Sequence, residues 1–423
     1  MKPDLGSLAS FVQSALSEPE ILADASQCRA RIELEVWAPD SPGGHKENSR
    51  TLWQGEPHGS VICLRASPAI WGKVFAALPP VGHQSLGALR RQCPGFSIEA
   101  DDLAWAQALP FMERLLEGIR GKMHSPASDQ VQPWSGLEHI KGSYLALAGP
   151  GQPWVYAERS GLENSPPLLM LHTAGADARQ WHGLMTQEAM RNDWAMHAFD
   201  LPGHGRSPLP GSVPNWHWRL TEERYLQWVI AYMDAAGIEK AALMGCSMGS
   251  AIGLALLAKF PHRFTGAVLL EAPYRAPGRR SKYLNHPEVH GGRLGAAWVG
   301  SLLSPSSPKS GKDFATWIYS QAAPGIYDGD LAFYSDDFDA HHHTERIDTR
   351  KTPLWLLTGN YDYSATPSDS RRVAQEIAGS HFMELTGFGH FPMVENPRGL
   401  MPHLQPPLSE IRRTILGQTL EKK

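Results

Sequence analysis

Apolar and polar residues alternate strictly at one place near the start of the chain. Between Arg31 and Trp37, three aliphatic residues alternate with charged ones, which is the pattern of a strand buried on one face. Shorter apolar stretches predict further strands near residues 51–54, 60–64 and 96–99. A helical pattern extends from about Asp102 to Ile119, and Gly121 is its expected end. Strands combined with helices in this order predict a small α+β domain.

The pattern changes in the second part of the chain, where short and almost continuously apolar segments alternate with helical ones. Such segments are typical of strands buried on both faces of a parallel sheet. They lie at residues 168–172, 195–200, 241–245, 267–271, 354–359 and 382–385. Helical patterns follow residue 177, cover 218–236 and 248–260, and return near the C-terminus. The sequence therefore predicts an α/β fold with a mainly parallel sheet flanked by helices.

A polar, irregular stretch from Gly121 to Trp134 separates these two parts, as linkers commonly do. A length of 423 residues also suits two domains. We therefore expect a small accessory α+β domain in residues 1–130 and a larger α/β domain in residues 131–423. The alternation of strands and helices is interrupted at about 274–352, where Pro, Gly, Ser and aromatic residues are frequent.

The clearest chemical motif is Gly-Cys-Ser-Met-Gly at residues 245–249. An apolar strand runs directly into it and a strongly helix-forming segment follows, which is the context that a G-x-S-x-G nucleophile turn requires. The flanking glycines are needed because side chains there would collide with the neighbouring strand and helix. Ser247 is then held exposed at a helix N-terminus, where backbone N–H groups point at developing negative charge.

Two further segments share with this motif a resemblance to the α/β-hydrolase superfamily. Residues 199–207, Phe-Asp-Leu-Pro-Gly-His-Gly-Arg-Ser, resemble the loop after the fourth strand in that family. Residues 387–397 resemble its catalytic-histidine loop. The resemblance covers about Trp134 to the C-terminus. It implies that Ser247 is a nucleophile, that His390 is the base that takes its proton, and that His204 is structural.

An imidazole base needs a buried carboxylate to orient it and to stabilise its charge, and the sequence offers two. Asp362 follows an apolar strand in a segment that resembles the usual acid loop of the superfamily. Glu271 ends the strand after the serine motif, where some members of the superfamily carry the acid. We favour Asp362 because of the matching Gly359 and the downstream Pro367, and Glu271 stays the alternative.

Hydrolysis through a tetrahedral intermediate also requires two backbone N–H donors for the oxyanion. The family resemblance assigns the first donor to Met248, directly after the serine, and the second to the loop after the third strand. That loop carries Thr173 where the family usually has glycine. Ala174 is the favoured second donor, with Thr173 and Gly175 as alternatives.

The interruption at about 274–352 lies where this superfamily commonly inserts a cap over the active site. Its aromatic residues predict a bulky apolar substrate, although the rings could equally serve only to pack the cap onto the core. The run His341-His342-His343 is interpreted as a solvated loop, because adjacent residues cannot all converge on one metal ion. We expect no metal and no organic cofactor.

The N-terminal part resembles a different family. Its order of strands and helices, with the run Ala-Ser-Pro-Ala-Ile-Trp at residues 66–71 before paired helices, resembles the sterol-carrier type of lipid-binding domain over about Arg31 to Arg120. The alternative is a packing or dimerising domain without a ligand. Either way, this part could mediate a homo-oligomer.

Charge, cysteine spacing and apolar segments indicate which binding partners and which cellular location to expect. A net charge of −4 with scattered basic residues predicts no nucleic-acid binding. Four widely spaced cysteines form neither a disulfide framework nor a metal-ligand pattern, which favours a cytoplasmic protein. No segment approaches the roughly 20 apolar residues of a membrane span. Residues 1–25 are typical of an amphipathic helix, not of a signal peptide.

These observations together predict a serine hydrolase that cleaves a carboxylic ester or lactone through an acyl-enzyme. A thioesterase or a hydrolase of carbon–carbon bonds would use the same residues and stays open. A hypothesis of another class is a lipid-binding or receptor-like protein with an inactive hydrolase fold. Retention of the serine, histidine, acid and glycines favours the enzyme.

Overall fold

A computed structural model of the chain describes residues 5–37, 46–124, 135–149, 151–210 and 218–420. The expected domain boundary near residue 130 and most of the predicted linker lie outside these residues. Buried apolar residues from both predicted domains join one continuous hydrophobic cluster. Among the described residues, none of the helices has the length and apolar character needed to span a lipid bilayer.

The N-terminal part contains a four-stranded sheet in the order β2-β1-β3-β4. Strand β1 pairs antiparallel with β2 and parallel with β3, and β3 pairs antiparallel with β4. The strands are β1 (Arg31–Trp37), β2 (Lys46–Trp53), β3 (Val61–Ala66) and β4 (Ser97–Glu99), and the helices are α1 (Leu5–Leu16), α2 (Pro19–Ala25), α3 (Pro68–Val74), α4 (Leu86–Gln92) and α5 (Asp102–His124). Ile32 and Leu34 of β1 align with Ile62 and Leu64 of β3, and all four side chains are buried. The apolar residues of the alternating pattern therefore form the buried face of this sheet.

Helix α5 extends one turn beyond its predicted end. It continues through Gly121 to His124. A Cβ at Gly121 would meet no atom within 4 Å, so the glycine is not required by crowding or by a turn. A glycine inside a helix costs only about 1 kcal/mol relative to alanine. The buried apolar side of α5 outweighs that local cost.

The larger sheet has eight strands in the order β12-β11-β10-β9-β7-β8-β6-β5. Its parallel part consists of β7 (Pro167–Leu171), β8 (Ala195–Phe199), β9 (Ala241–Cys246), β10 (Phe264–Leu270), β11 (Leu354–Gly359) and β12 (His381–Leu385). Each of these six strands overlaps a predicted apolar segment, so the predicted α/β fold with a mainly parallel sheet is confirmed. An antiparallel pair, β5 (Lys141–Ala146) and β6 (Trp154–Ser160), continues the sheet next to β8. This pair was not predicted, because β5 is mostly exposed and carries no apolar run.

Helices cover both sides of this sheet. They are α6 (His182–Met185), α7 (Glu188–Asp193), α8 (Glu222–Ala235), α9 (Met248–Lys259), α14 (Pro367–Glu376), α15 (Pro392–Glu395) and α16 (Pro397–Leu420). Helix α8 begins four residues after the predicted start at Trp218, because the Thr221 side chain caps it by accepting a hydrogen bond from the N–H of Arg224 at 3.3 Å.

A helical segment connects β10 to β11, where the sequence predicts an interruption of the sheet. It contains α10 (Gly291–Leu302), α11 (Lys309–Ser320), α12 (Ile326–Leu331), a π-helical turn (Ala332–Asp337) and α13 (His341–Thr344). Helix α10 packs against α4 and α5 of the N-terminal part, and α11 packs against α15. We call residues 271–353 the connecting segment.

The loop before α4 is hydrogen-bonded to the larger α/β part. Gln84 Nε2 donates to the carbonyl of Tyr361 at 3.1 Å, and Tyr361 donates from its hydroxyl to the carbonyl of Pro79 at 2.9 Å. Ser85 Oγ donates to the carbonyl of Ser301 in α10 at 2.7 Å. The N-terminal part therefore contacts both the connecting segment and the loop that follows β11.

Glu113 on α5 supports this contact from the N-terminal side. Its two carboxyl oxygens accept hydrogen bonds from the N–H groups of Leu86 and Gly87, both at 3.1 Å, at the start of α4. Burial nevertheless raises the pKa of Glu113 from 4.5 to about 7. The folded protein therefore holds a proton on Glu113 that the unfolded chain releases at lower pH.

Because folding raises the pKa of Glu113, the folded protein loses free energy of unfolding as the pH rises from about 4.5 to about 7. We expect the variant Glu113→Gln to gain stability relative to the wild type over this interval, by at most about 3 kcal/mol. Urea unfolding at a series of pH values measures the difference. Glu117→Gln, one turn further along α5, is the control. Burial opposes the charge of Glu117, but Lys312 lowers its pKa on balance, so the trend should reverse. Parallel pH profiles for Glu113→Gln and the wild type would contradict this interpretation.

Candidate active site

Ser247 lies in the tight turn between β9 and α9. Its backbone has φ +55° and ψ −112°, a strained conformation for a residue with a side chain. A Cβ at Gly245 would approach the carbonyl oxygen of Gly249 to 2.3 Å, and a Cβ at Gly249 would approach that of Leu171 to 2.3 Å. Both glycines are therefore required by close backbone contacts. The turn places the Ser247 hydroxyl at the N-terminus of α9.

His390 and Asp362 form a hydrogen-bonded chain with Ser247. His390 Nε2 lies 2.8 Å from Ser247 Oγ, and His390 Nδ1 lies 2.6 Å from Asp362 Oδ2. The other Asp362 oxygen accepts the N–H of Ser364 at 2.6 Å, which fixes the carboxylate in its loop. All three hydrogen-bonded side chains are buried, and Ser247 is only 3% exposed. This arrangement can move the hydroxyl proton to the imidazole while the carboxylate stabilises the resulting charge.

Glu271, the alternative acid, lies next to this chain without entering it. Its Oε1 accepts the N–H of Gly359 at 2.9 Å, while Oε2 is buried without a hydrogen-bond partner among the described residues. The polar atoms of Glu271, Asp362 and His390 all lie within 4.8 Å of one another, but His390 Nδ1 makes its hydrogen bond with Asp362. Burial and the adjacent charge of Asp362 raise the pKa of Glu271 well above its ordinary value. The protonated form of Glu271 is thus favoured beside the Asp362 carboxylate.

A second buried carboxylate, that of Glu395, supports the histidine loop. Glu395 Oε1 accepts the N–H groups of Gly389 and Phe391, on either side of His390, at 3.1 and 3.0 Å. Its Oε2 accepts the hydroxyl of Ser307 at 2.6 Å, from the connecting segment. No prediction assigned a role to Glu395. A charged residue among the apolar residues of this loop was the signal that could have revealed it.

In the loop after β7, two of three consecutive backbone N–H groups have acceptors. The N–H of Thr173 donates to Gln180 Oε1 at 3.0 Å, and the N–H of Gly175 donates to Asp330 Oδ2 at 2.8 Å. Within the part of the chain that the structure describes, no acceptor takes the N–H of Ala174. Met248 is the first residue of α9, so its N–H belongs to the unpaired first turn. Ala174 and Met248 are accordingly the two candidate donors to an oxyanion.

The connecting segment reaches this loop with two side chains. Tyr319 of α11 hydrogen-bonds to the hydroxyl of Thr173, the residue that replaces the usual glycine. Asp330 of α12 accepts the N–H of Gly175 and lies 2.7 Å from His204 Nε2. Burial disfavours the charged form of His204, but the Asp330 carboxylate raises its pKa on balance. His204 thus forms a buried ion pair with Asp330, whereas the partner of Ser247 is His390. Asp330 was not predicted because its partners are distant in sequence.

The run at residues 341–343 differs from the expected solvated loop. It forms the short helix α13, and its three side chains do not converge. His343 is buried and lies 3.0 Å from Glu222, whereas His341 is exposed and lies 3.3 Å from Glu376. The expectation of a solvated loop was therefore wrong for His343. Its aromatic stacking on Phe338 explains why a histidine is buried there.

Comparisons with known proteins identify the family of the fold. The family model described as alpha/beta hydrolase fold matches residues 166–397. A carboxylesterase of Bacillus subtilis, itself uncharacterized, is 24% identical over 255 residues, which is 58% of this chain and 80% of that protein. A pyrrolizixenacetamide deacetylase of Xenorhabdus hominickii is 27% identical over 243 residues, which is 55% of this chain and 86% of that protein.

Solved structures share the fold at lower sequence identity. A hydrolase from Pseudomonas aeruginosa superposes with a TM-score of 0.55 at 20% identity, covering 63% of this chain and 98% of that one. An enol-lactonase from Burkholderia xenovorans superposes with a TM-score of 0.54 at 21% identity, covering 63% of this chain and all of that one, 100%. At these identities the structures establish the fold alone.

The positions of the two carboxyl groups predict different mutational effects. We expect Asp362→Asn to slow the reaction of Ser247 with a fluorophosphonate by about three to four orders of magnitude, because the imidazole loses its charged partner. Glu271→Gln should slow it less than about tenfold, because the amide can still accept the N–H of Gly359. Labelling rates followed by mass spectrometry measure both effects. A fast Asp362→Asn variant together with a slow Glu271→Gln variant would reverse the assignment.

Proposed function

The chain belongs to the α/β-hydrolase family, and from that membership we propose that it is a serine hydrolase that cleaves a carboxylic ester or lactone through an acyl-enzyme. The observation that carries the proposal is the hydrogen-bonded chain from Ser247 through His390 to Asp362. The relatives named above as a carboxylesterase and a deacetylase support hydrolysis of an acyl bond.

In the proposed reaction, Ser247 Oγ attacks the carbonyl carbon of the substrate while His390 Nε2 takes the hydroxyl proton. The carbonyl oxygen becomes an oxyanion, which the N–H groups of Ala174 and Met248 stabilise. Each such donor is typically worth about a hundred- to a thousandfold in rate. The imidazolium then gives its proton to the departing alcohol oxygen as the carbon–oxygen bond breaks.

Deacylation uses the same groups in reverse. Water attacks the acyl carbon of the Ser247 ester while His390 takes a water proton, and the acid product leaves as the proton returns to Ser247. Asp362 stays ionised and stabilises the imidazolium in both steps. This mechanism needs no group other than residues of the chain and water.

We propose that the connecting segment acts as a cap that determines the shape of the substrate site. Tyr334 faces Ser247, and Tyr319 and Tyr327 lie next to each other with ring centroids 5.5 Å apart. All three rings are largely or fully withdrawn from solvent. Aromatic residues in this position favour a substrate with a bulky apolar group, because they offer area and few charges.

For the N-terminal part we propose an accessory role that is connected to the site. The loop before α4 contacts residue Tyr361, directly before Asp362. A lipid-carrying or dimerising role, as the resemblance of this part implies, would be compatible with these contacts.

A panel of substrates tests the proposed function. We expect the wild type to hydrolyse p-nitrophenyl esters or lactones, and Ser247→Ala to reduce kcat by at least about a thousandfold while the protein stays folded. Acyl thioesters and vinylogous diketones complete the panel, since their cleavage uses the same groups. Faster hydrolysis of a thioester or a diketone than of any ester or lactone would show that the proposed substrate class is wrong. Absence of both turnover and fluorophosphonate labelling at Ser247 would favour an inactive, receptor-like protein.

A further inference from the structure

A buried hydroxyl without a hydrogen-bond partner among the described residues lies beside the nucleophile. Tyr334 OH is buried and has no hydrogen-bond partner among the described residues, although its phenol faces the side chain of Ser247. The residue lies on the π-helical turn Ala332–Asp337, a rare element that often occurs at functional sites. Burial raises the pKa of Tyr334, so the phenol remains a donor near neutral pH. A buried donor of this kind calls for an acceptor on the substrate.

A guanidinium without a carboxylate partner among the described residues lies beside the loop of Asp362. Arg279 donates from Nη2 to the carbonyl of Ser364, two residues after Asp362, and its Nε is buried without a hydrogen-bond partner among the described residues. No carboxylate of the described residues lies within ion-pair distance of Arg279. Its neighbour Arg280, in contrast, pairs with Asp328 and Asp336. Arg279 thus lies beside the loop of Asp362 without an ion-pair partner among the described residues, and its charge acts on both Tyr334 and Tyr363.

A second cationic side chain approaches from the N-terminal part. Gly87 of α4 packs so closely on Tyr363 that a Cβ there would approach the Tyr363 hydroxyl to 2.2 Å. Arg91 lies four residues further along α4 and therefore on the same face of the helix. Arg91 is near enough to Tyr363 and Arg279 to interact with both electrostatically. Partial burial is the larger effect that lowers the pKa of Arg91, and the positive charge of Arg279 lowers it further.

No ion pair compensates these two like charges in the part of the chain that the structure describes. Asp369 is near enough to act on Arg91 electrostatically, but its carboxylate caps α14 by accepting the N–H of Thr366 at 2.9 Å and its hydroxyl at 2.7 Å. Two neighbouring guanidiniums repel each other unless an anion lies between them. An anion bound between the two guanidiniums would reduce this repulsion.

Resting on the proposed function, we propose that Arg279 and Arg91 bind an anionic oxygen group of the substrate, such as a carboxylate, at the mouth of the Ser247 site. Tyr334 lies between this anion site and the reacting carbonyl and donates to a substrate oxygen. The substrate class is therefore an acidic ester or lactone, in which an apolar body carries a negative charge. Arg91 gives the N-terminal part a direct role in substrate selection.

Matched pairs of substrates test this anion site. One pair places the charge on the acyl side, with mono-p-nitrophenyl glutarate against p-nitrophenyl pentanoate. The other places it on the alcohol side, with 4-acetoxybenzoate against its methyl ester. We expect the wild type to favour the anionic member of at least one pair in kcat/KM, and increasing salt to reduce the preference.

The variants Arg279→Met and Arg91→Met remove the charges and keep apolar side chains of similar length. Each should lower kcat/KM for the favoured anionic ester by about ten- to a hundredfold, as expected for a charge-assisted hydrogen bond, and lower that for the neutral ester far less. Arg279→Lys should retain part of the preference. Arg90→Met is the matched control, because Arg90 lies over the ring of Trp105, 5.8 Å from its centroid, and should leave both rates unchanged.

The outcomes separate this inference from the proposed function. Turnover of both members of each pair without discrimination, or an equal loss on both in the two variants, would overturn the anion site and leave the hydrolase intact. If no member of either pair is turned over and Ser247 is not labelled, the proposed function itself fails. Arg91 lies on α4, outside the loop of Asp362, so its substitution tests the site even where Arg279→Met disturbs that loop.

Discussion

The rest of the structure depends on the strained turn that holds Ser247 between β9 and α9. A residue with a side chain at φ +55° is unfavourable by about 1–3 kcal/mol, and it persists because the surrounding backbone permits no alternative. Gly245 and Gly249 let the turn pack against neighbouring backbone at distances that no Cβ would allow. The parallel sheet then brings the loops after β7, β10, β11 and β12 to the same edge as this serine. Fold and site are thus two consequences of one arrangement.

Buried carboxyl groups perform distinct tasks around this turn, and their hydrogen bonds determine which task each performs. Asp362 contacts the imidazole, Glu395 holds the backbone on both sides of His390, and Glu271 holds the N–H of Gly359. Asp330 joins the connecting segment to the loop of Ala174 through the N–H of Gly175. Burying so many acids is unfavourable unless each is paired or protonated. The site therefore depends on hydrogen bonds that join the connecting segment to the loop after β7 and to the histidine loop.

Much of the fold was readable from the chain because buried parallel strands carry apolar runs whatever their partners are. The six strands β7–β12 follow this rule, whereas the exposed edge strand β5 does not and was missed. The same contrast holds at the site. Ser247 and His390 occur in local motifs, but a choice between Asp362 and Glu271 depends on which carboxyl group reaches His390 Nδ1. Strand ends far apart in sequence meet there, so no local pattern contains the answer.

The sequence by itself determined the α/β fold, the serine turn and the candidate histidine, because strand periodicity and turn chemistry are short-range properties. Only the tertiary structure decided that Asp362 contacts His390. It also decided that the N–H groups of Thr173 and Gly175 have acceptors, while that of Ala174 has none among the described residues. It further decided that Arg91 of the N-terminal part comes near enough to Arg279 of the connecting segment for their charges to interact. These relations depend on distances between residues more than a hundred positions apart in some cases, which hydrophobic patterns do not encode.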